Sequence, residues 1–243
     1  MNVEQIFQNA NFVHEDRKEI EEFYRPYVPD DEAMEAFFVS IFLNEDEERK
    51  PRQMMNQIQR FVTLANDIDK IRPGRDPLRI LFLRICLESL CEISGSNKKS
   101  FYESFERFFS DDGKSYILQN FTFSDISVPD TLTGWDKLLF NSHEGYEMAF
   151  TDFMRIIRAV RNNLVHDGDY WTMQFFARDS DSTWLVDMQT DEKIIECQEK
   201  GDVLTYNFET TMQYEKFIAY FVDACIKFVV DYMETKYKPD VLA

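Results

Sequence analysis

"EGYEMAFTDFMRIIRAVRNNLVHDGDY", residues 144–170, runs with the period of an amphipathic helix and then breaks off. Placed at about 100° per residue over about 144–166, Tyr146, Phe150, Phe153, Ile156, Ile157, Val160 and Leu164 gather on one side. Arg155, Arg158, Asn162 and His166 gather on the other side. Arg158, Asn162 and His166 follow one another at four-residue steps and form a single polar ridge, with Arg161 on its flank. Gly168 suits the left-handed position that closes a helix. A helix with one such apolar face needs other elements to cover it.

Outward from this stretch the chain supplies mostly helices. Residues 1–28 read as one or two acidic helices. "PDDEAMEAFFVSIFL" follows, with Asp30 or Asp31 as N-cap. "NEDEERKP" interrupts the pattern and marks a candidate boundary. From Arg52 a long helix carries Met55, Ile58, Phe61, Val62, Ala65 and Ile68 at three- and four-residue steps, and it stops before "RPGRDP". "LRILFLRICLESLCEIS" is apolar nearly all round and belongs at the centre of a core; Gly95 ends it. "KKSFYESFERFFS" reads as another helix, capped by Ser96 or Asn97. Residues 111–143 read as irregular, with one short helix around "WDKLLF". "WTMQFFARD", "STWLVDM", "KIIECQ" and "VLTYNF" are short, aromatic and β-branched, which suggests a small antiparallel meander. A helix over roughly 210–236 closes the chain. The expected fold is mainly α: a bundle of four to five helices with a small antiparallel β insertion, at about 171–208, before the last helix. Residues 1–50 form an acidic helical extension, and 51–243 the helical domain.

Hydrophobic content of 44%, with 23 Phe, provides for a packed interior or a sticky face between copies. No apolar run approaches a bilayer span, and the acidic N-terminal stretch lacks a secretory pattern, so the expected location is cytoplasmic, with no membrane partner. Cys86, Cys91, Cys197 and Cys225 form no C-x-x-C pair and have no histidine nearby; Cys86, Cys91 and Cys225 read as reduced core residues. The net charge of −18 is uneven. Residues 1–50 carry fourteen acids against five bases, whereas 51–84 carry seven bases against three acids. This island (Arg52, Arg60, Lys70, Arg72, Arg75, Arg79 and Arg84) permits an anionic partner but does not by itself predict one; solvated helix charges are the commoner explanation.

Neither common phosphate-binding glycine loop is present, nor H-E-x-x-H, nor G-x-S-x-G. His143-Glu144 stands alone, His14 sits among acids, and the carboxylate runs are solvated. No metal and no cofactor are expected. Residues 158–166 remain. His166, near a helix C-terminus, feels the helix dipole favouring its cation and the arginines opposing it, a balance suited to general acid–base work. Arginine offers fixed donors to a phosphate gaining charge. Together they suit metal-free cleavage of RNA. A charged, solvent-facing helix end is the plain alternative.

"RNNLVH" resembles the Arg-(Asn/Asp/His)-x3-His signature of the HEPN superfamily, helical proteins of prokaryotic toxin–antitoxin and other defence systems. "LRICLESLCEISG" is similar to an earlier helix of several HEPN families, and the likeness spans approximately residues 52–236. It implies a metal-independent endoribonuclease with a composite site at a homodimer interface. In that reading Arg161 and His166 are catalytic, with Arg161 stabilising the phosphate and His166 moving the proton, while Asn162 orients or helps bind. Arg158 joins them as a supporting residue from the helical geometry alone. The implied partners are a second copy, an RNA (a tRNA or structured loop), and an antitoxin or regulator; DNA is not expected. The family's nucleotidylated tyrosine, two residues after the histidine, is replaced here by Gly168, with Tyr170 two further on. A catalytically silent HEPN-type dimerisation or binding protein is the alternative.

Overall fold

Two long antiparallel helices anchor the core: α3 (Lys50–Ile71) and α4 (Asp76–Ser94). Before them come α1 (His14–Tyr24) and α2 (Asp31–Phe42); after them α5 (Lys98–Phe105), α6 (Asp111–Asn120), β1 (Phe121–Ser127), α7 (Phe150–Asn162), β2 (Trp184–Thr190), β3 (Leu204–Thr210) and α8 (Tyr214–Tyr237). The computed structural model describes residues 14–28, 30–42, 49–127, 146–176, 184–195 and 203–237. The protein is mainly helical with a small three-stranded antiparallel sheet.

The buried faces follow the apolar periods. On α3, Met54, Met55, Ile58, Val62 and Ala65 are buried; on α4, Ile80, Leu83, Cys86, Leu87, Leu90 and Cys91. The α3–α4 turn passes Pro73 and Gly74 (φ 69°), where an α-helix cannot continue. Gly95, at φ 73°, ends α4. α4 packs against α3 on one side and α7 on the other, so it holds the candidate helix against the core. Tyr24 of α1 is fully buried and its hydroxyl donates to the Met55 carbonyl at 2.9 Å, tying the N-terminal helices into the same core. Asp30 is the cap of α2, accepting from the Ala33 amide at 2.6 Å.

The phenylalanines fill the interior. Phe101, Phe105 and Phe108 surround Phe228, and Phe121, Phe153 and Phe217 form a second cluster with centroids 5.5–5.9 Å apart. Among the described residues no phenylalanine is exposed, and most are buried in the core. Cys86, Cys91 and Cys225 are buried thiols.

Four expectations need correction. The meander is not wholly an insertion before the last helix: strand order is β1-β3-β2, and β1 comes from 121–127, ahead of α7. Phe121 pairs with Thr210 and Phe123 with Phe208, while Met188 of β2 pairs with Tyr206 on the other edge of β3. "WTMQFF" and "KII" are not strands. Residues 111–120, read as irregular, are helix α6. Ser110 caps it, accepting from the Gly113 amide at 3.2 Å, and Gly113 is required because a Cβ there would stand 2.9 Å from the Tyr220 ring. Finally, α7 begins at Phe150 and not near 144. Residues 1–13, most of "NEDEERKP", "WDKLLF", "NSHEG" and Cys197 lie outside the described residues.

Candidate functional site

The start of α7 is built around one buried carboxylate. Asp152 accepts from the Ala149 amide (2.9 Å), the Tyr146 hydroxyl (2.9 Å) and Arg155 Nη1 (3.3 Å). Its reach back to the amide before the helix fixes where α7 starts, which explains why the apolar period upstream does not extend it. Phe150, Phe153, Ile156, Ile157, Val160 and Leu164 are buried as their spacing requires, and Tyr146 is half-buried in the preceding segment.

The end of α7 departs from a simple helix. From Asn163 to Asp167 the backbone widens into a π-helical turn, closed by Gly168 at φ 68°, whose amide donates to the Asn163 carbonyl five residues back. On an α-helix, residues five apart lie about 140° around the axis from one another. An i→i+5 turn narrows that angle and swings His166 towards the side of Arg161, out of the straight ridge with Arg158 and Asn162. The widening is held from outside: buried Asn163 donates through Nδ2 to the Gln189 carbonyl of β2 at 2.8 Å.

The structure brings three of the four sequence-selected residues together, through a fourth that the sequence did not suggest. Glu192, just past β2, receives Asn162 Nδ2 on one oxygen and ion-pairs with Arg158 Nε at 3.2 Å through the other. With its amide nitrogen committed to Glu192, Asn162 turns its Oδ1 to Arg161, whose Nη1 donates to it at 2.8 Å. Arg155 Nη1 reaches the Ile194 carbonyl at 3.2 Å, so residues 189–194 lie as a strap along the polar side of α7. His166 is exposed, and among the described residues no hydrogen bond or ion pair joins it to this network. Nothing in the local sequence marks Glu192; only the pairing of β2 with β3 carries it to α7.

No protein-family model, curated protein or solved structure matches this chain.

Beneath the network lies another arginine. Arg84 of α4 is buried, its guanidinium 3.0 Å from the Tyr102 ring centroid and its Nε 3.6 Å from Glu88. Burial pulls Arg84 down to about 10; Tyr102 and Glu88 oppose the shift, while the charges of Arg158 and Arg161 reinforce it. Burial also pushes the Tyr102 phenol up to about 12. The Nε atoms of Arg84 and Arg161 are both buried without a hydrogen-bond partner. Arg84 pairs with Glu88 and Arg158 with Glu192, so each of these two guanidinium groups has a carboxylate counter-charge. Chemically the site offers fixed cationic donors, an oriented amide and an exposed imidazole. Among the described residues no group of three His, Cys, Asp or Glu side chains is placed to hold a metal ion, and no helix is long and apolar enough to cross a membrane.

Two further cations of the basic island are held by local carboxylates. Lys70 pairs with Asp67 at 2.7 Å, and Arg79 with Asp76 at 3.1 Å, beside the Tyr214 ring. Asp76 is buried and also accepts from the Phe175 amide at 2.7 Å; burial raises its carboxyl above the usual range, against the pull of that bond and of Arg79.

Proposed function

We propose that the protein is a metal-independent endoribonuclease of HEPN type, working in a toxin–antitoxin or phage-defence setting, with a composite site shared by two copies of the chain. The observation that carries this reading is the Arg161–Asn162–Glu192–Arg158 network at the end of α7, with His166 displayed on the widened turn that follows. In the reaction, the 2′-hydroxyl of the RNA attacks the adjacent phosphorus while an imidazole takes its proton. The 5′-oxygen leaves, taking a proton, and a 2′,3′-cyclic phosphate remains. His166 is the proton-transfer group, Arg161 stabilises the charge on the phosphoryl oxygens, Asn162 holds Arg161 in place, and Arg158 adds positive potential. Cleavage by this route needs no divalent cation. A tRNA or structured loop is the substrate class that suits a protein of net charge −18, which has little general affinity for polyanions.

The test is cleavage of total cellular RNA in EDTA by wild type, Arg161→Ala and His166→Ala. Loss of roughly 10²–10⁴-fold in rate is expected for His166→Ala. Absence of cleavage by wild type, or undiminished cleavage by His166→Ala, overturns the nuclease. One observation favours a second reading, a silent HEPN-type dimerisation or binding module: Glu192 already occupies donors of Arg158 and Asn162.

A further inference from the structure

Immediately beyond the motif the chain displays an indole to solvent on a rigid mount. Trp171 is 61% exposed. Its backbone is pinned on both sides. The Asp169 amide donates to the Asn163 carbonyl at 3.3 Å, the Trp171 amide donates to Asp169 Oδ1 at 2.9 Å, and Thr172 and Met173 are wholly buried. The ring itself is backed by a cation: the Arg75 guanidinium carbon lies 3.9 Å from its centroid. Arg75 Nη1 is buried without a hydrogen-bond partner among the described residues, beside the stack of its guanidinium on Trp171. Val165 and Tyr170 are also exposed, which places three of the six exposed large hydrophobics of the described residues within 165–171, around His166.

A flat aromatic held on one side by arginine and open on the other is what an unstacked nucleobase recognises. Protein partners also favour Trp, Tyr and Arg. Position and charge decide between them. The platform follows His166 by five positions in the chain, and its mount, Arg75, belongs to the basic island, with exposed Arg72 three residues before it. An RNA strand whose phosphate reached Arg161 and His166 would carry its neighbouring base over this ring. We infer that Trp171, backed by Arg75, is a base-stacking subsite that selects single-stranded RNA for the site at the end of α7. This rests on the ribonuclease reading, yet it concerns binding and is separable from cleavage.

The experiment titrates the full-length protein with a fluorescein-labelled, 2′-O-methylated oligouridylate of about ten nucleotides, which cannot be cleaved, and with the same strand annealed into a duplex. Wild type is expected to prefer the single strand, Trp171→Ala to bind it about tenfold more weakly, and Trp171→Phe to recover part of the loss. Native mass is measured on the same samples. Equal binding by wild type and Trp171→Ala overturns the subsite. So does a fall in native mass for Trp171→Ala without loss of binding, which assigns the ring to a contact between copies. If Trp171-dependent binding is found but no RNA is cleaved, the subsite stands and the nuclease falls. If wild type cleaves through His166 while Trp171→Ala leaves KM unchanged, the nuclease stands and the subsite falls.

Discussion

Glu192 sets one negative charge against a guanidinium and an amide, and its role can be read from what replaces it. The ion pair with Arg158 is more than half exposed on the arginine side and contributes little to stability, about 0–1 kcal/mol. In the proposed ribonuclease its effect is on potential: the carboxylate competes with an incoming phosphate for the same donors. Glu192→Gln keeps an acceptor for Asn162 and removes the charge. Single-stranded oligonucleotide affinity is expected to rise several-fold, with the melting temperature nearly unchanged; weaker binding instead makes Glu192 chiefly a positioning group. At this scale the sequence was a good guide for side chains that act through their own helix. Arg158, Arg161 and Asn162 do join one network: the four-residue step sets Arg158 and Asn162 on one side of α7, where Glu192 bridges them, and Arg161 bonds its neighbour Asn162. The sequence was a poor guide for Glu192, which reaches α7 only through the pairing of β2 with β3. His166 falls between these cases, since its displacement depends on a turn stabilised by β2.

The element that decides the site's shape is that widened turn. Asn163 anchors it to β2 and Gly168 closes it in a left-handed conformation that a side chain disfavours. Gly168→Ala has open space around its added methyl, so its cost is conformational, about 1 kcal/mol. That lowers the melting temperature by a few degrees, and in the proposed ribonuclease it is expected to depress cleavage more than Arg158→Ala does, because His166 loses its bearing; equal stability and activity in Gly168→Ala would show that the turn imposes no such geometry. The longer helices were legible because each runs for several turns with one apolar face. α6 was not: it has ten residues, a glycine in its first turn, and a position fixed by the Tyr220 ring. β1 was obscured for a related reason, since its partner lies beyond α7 in the sequence.

Across the whole molecule, buried hydroxyl and thiol groups set an alkaline limit. Burial raises Tyr24 well above its ordinary value of 10.0, raises Cys225 well above 9.0, and takes Tyr102 to about 12. A group whose pKa is raised in the folded state keeps its full contribution below its unfolded value and loses it as pH climbs through the folded one. The unfolded chain releases these protons first, so stability declines from about pH 9 upward, by about 1.4 kcal/mol per pH unit for each such group. Urea midpoints measured from pH 7 to 11 are expected to be flat and then fall. Tyr24→Phe lacks one of the titrating groups and costs about 1 kcal/mol near neutrality through its lost bond to Met55, so its decline should be shallower; a parallel decline would remove Tyr24 from this account.

The sheet also fixes an order in time. β1 leaves the ribosome early and waits for β3, whose residues 204–210 are made only after α7 and β2. Glu192 is likewise translated after the arginines it restrains. Synthesis therefore releases Arg158, Arg161 and Asn162 before Glu192 exists, and the last hairpin adds their counter-charge. A chain stalled before residue 184 would carry the motif without its restraint.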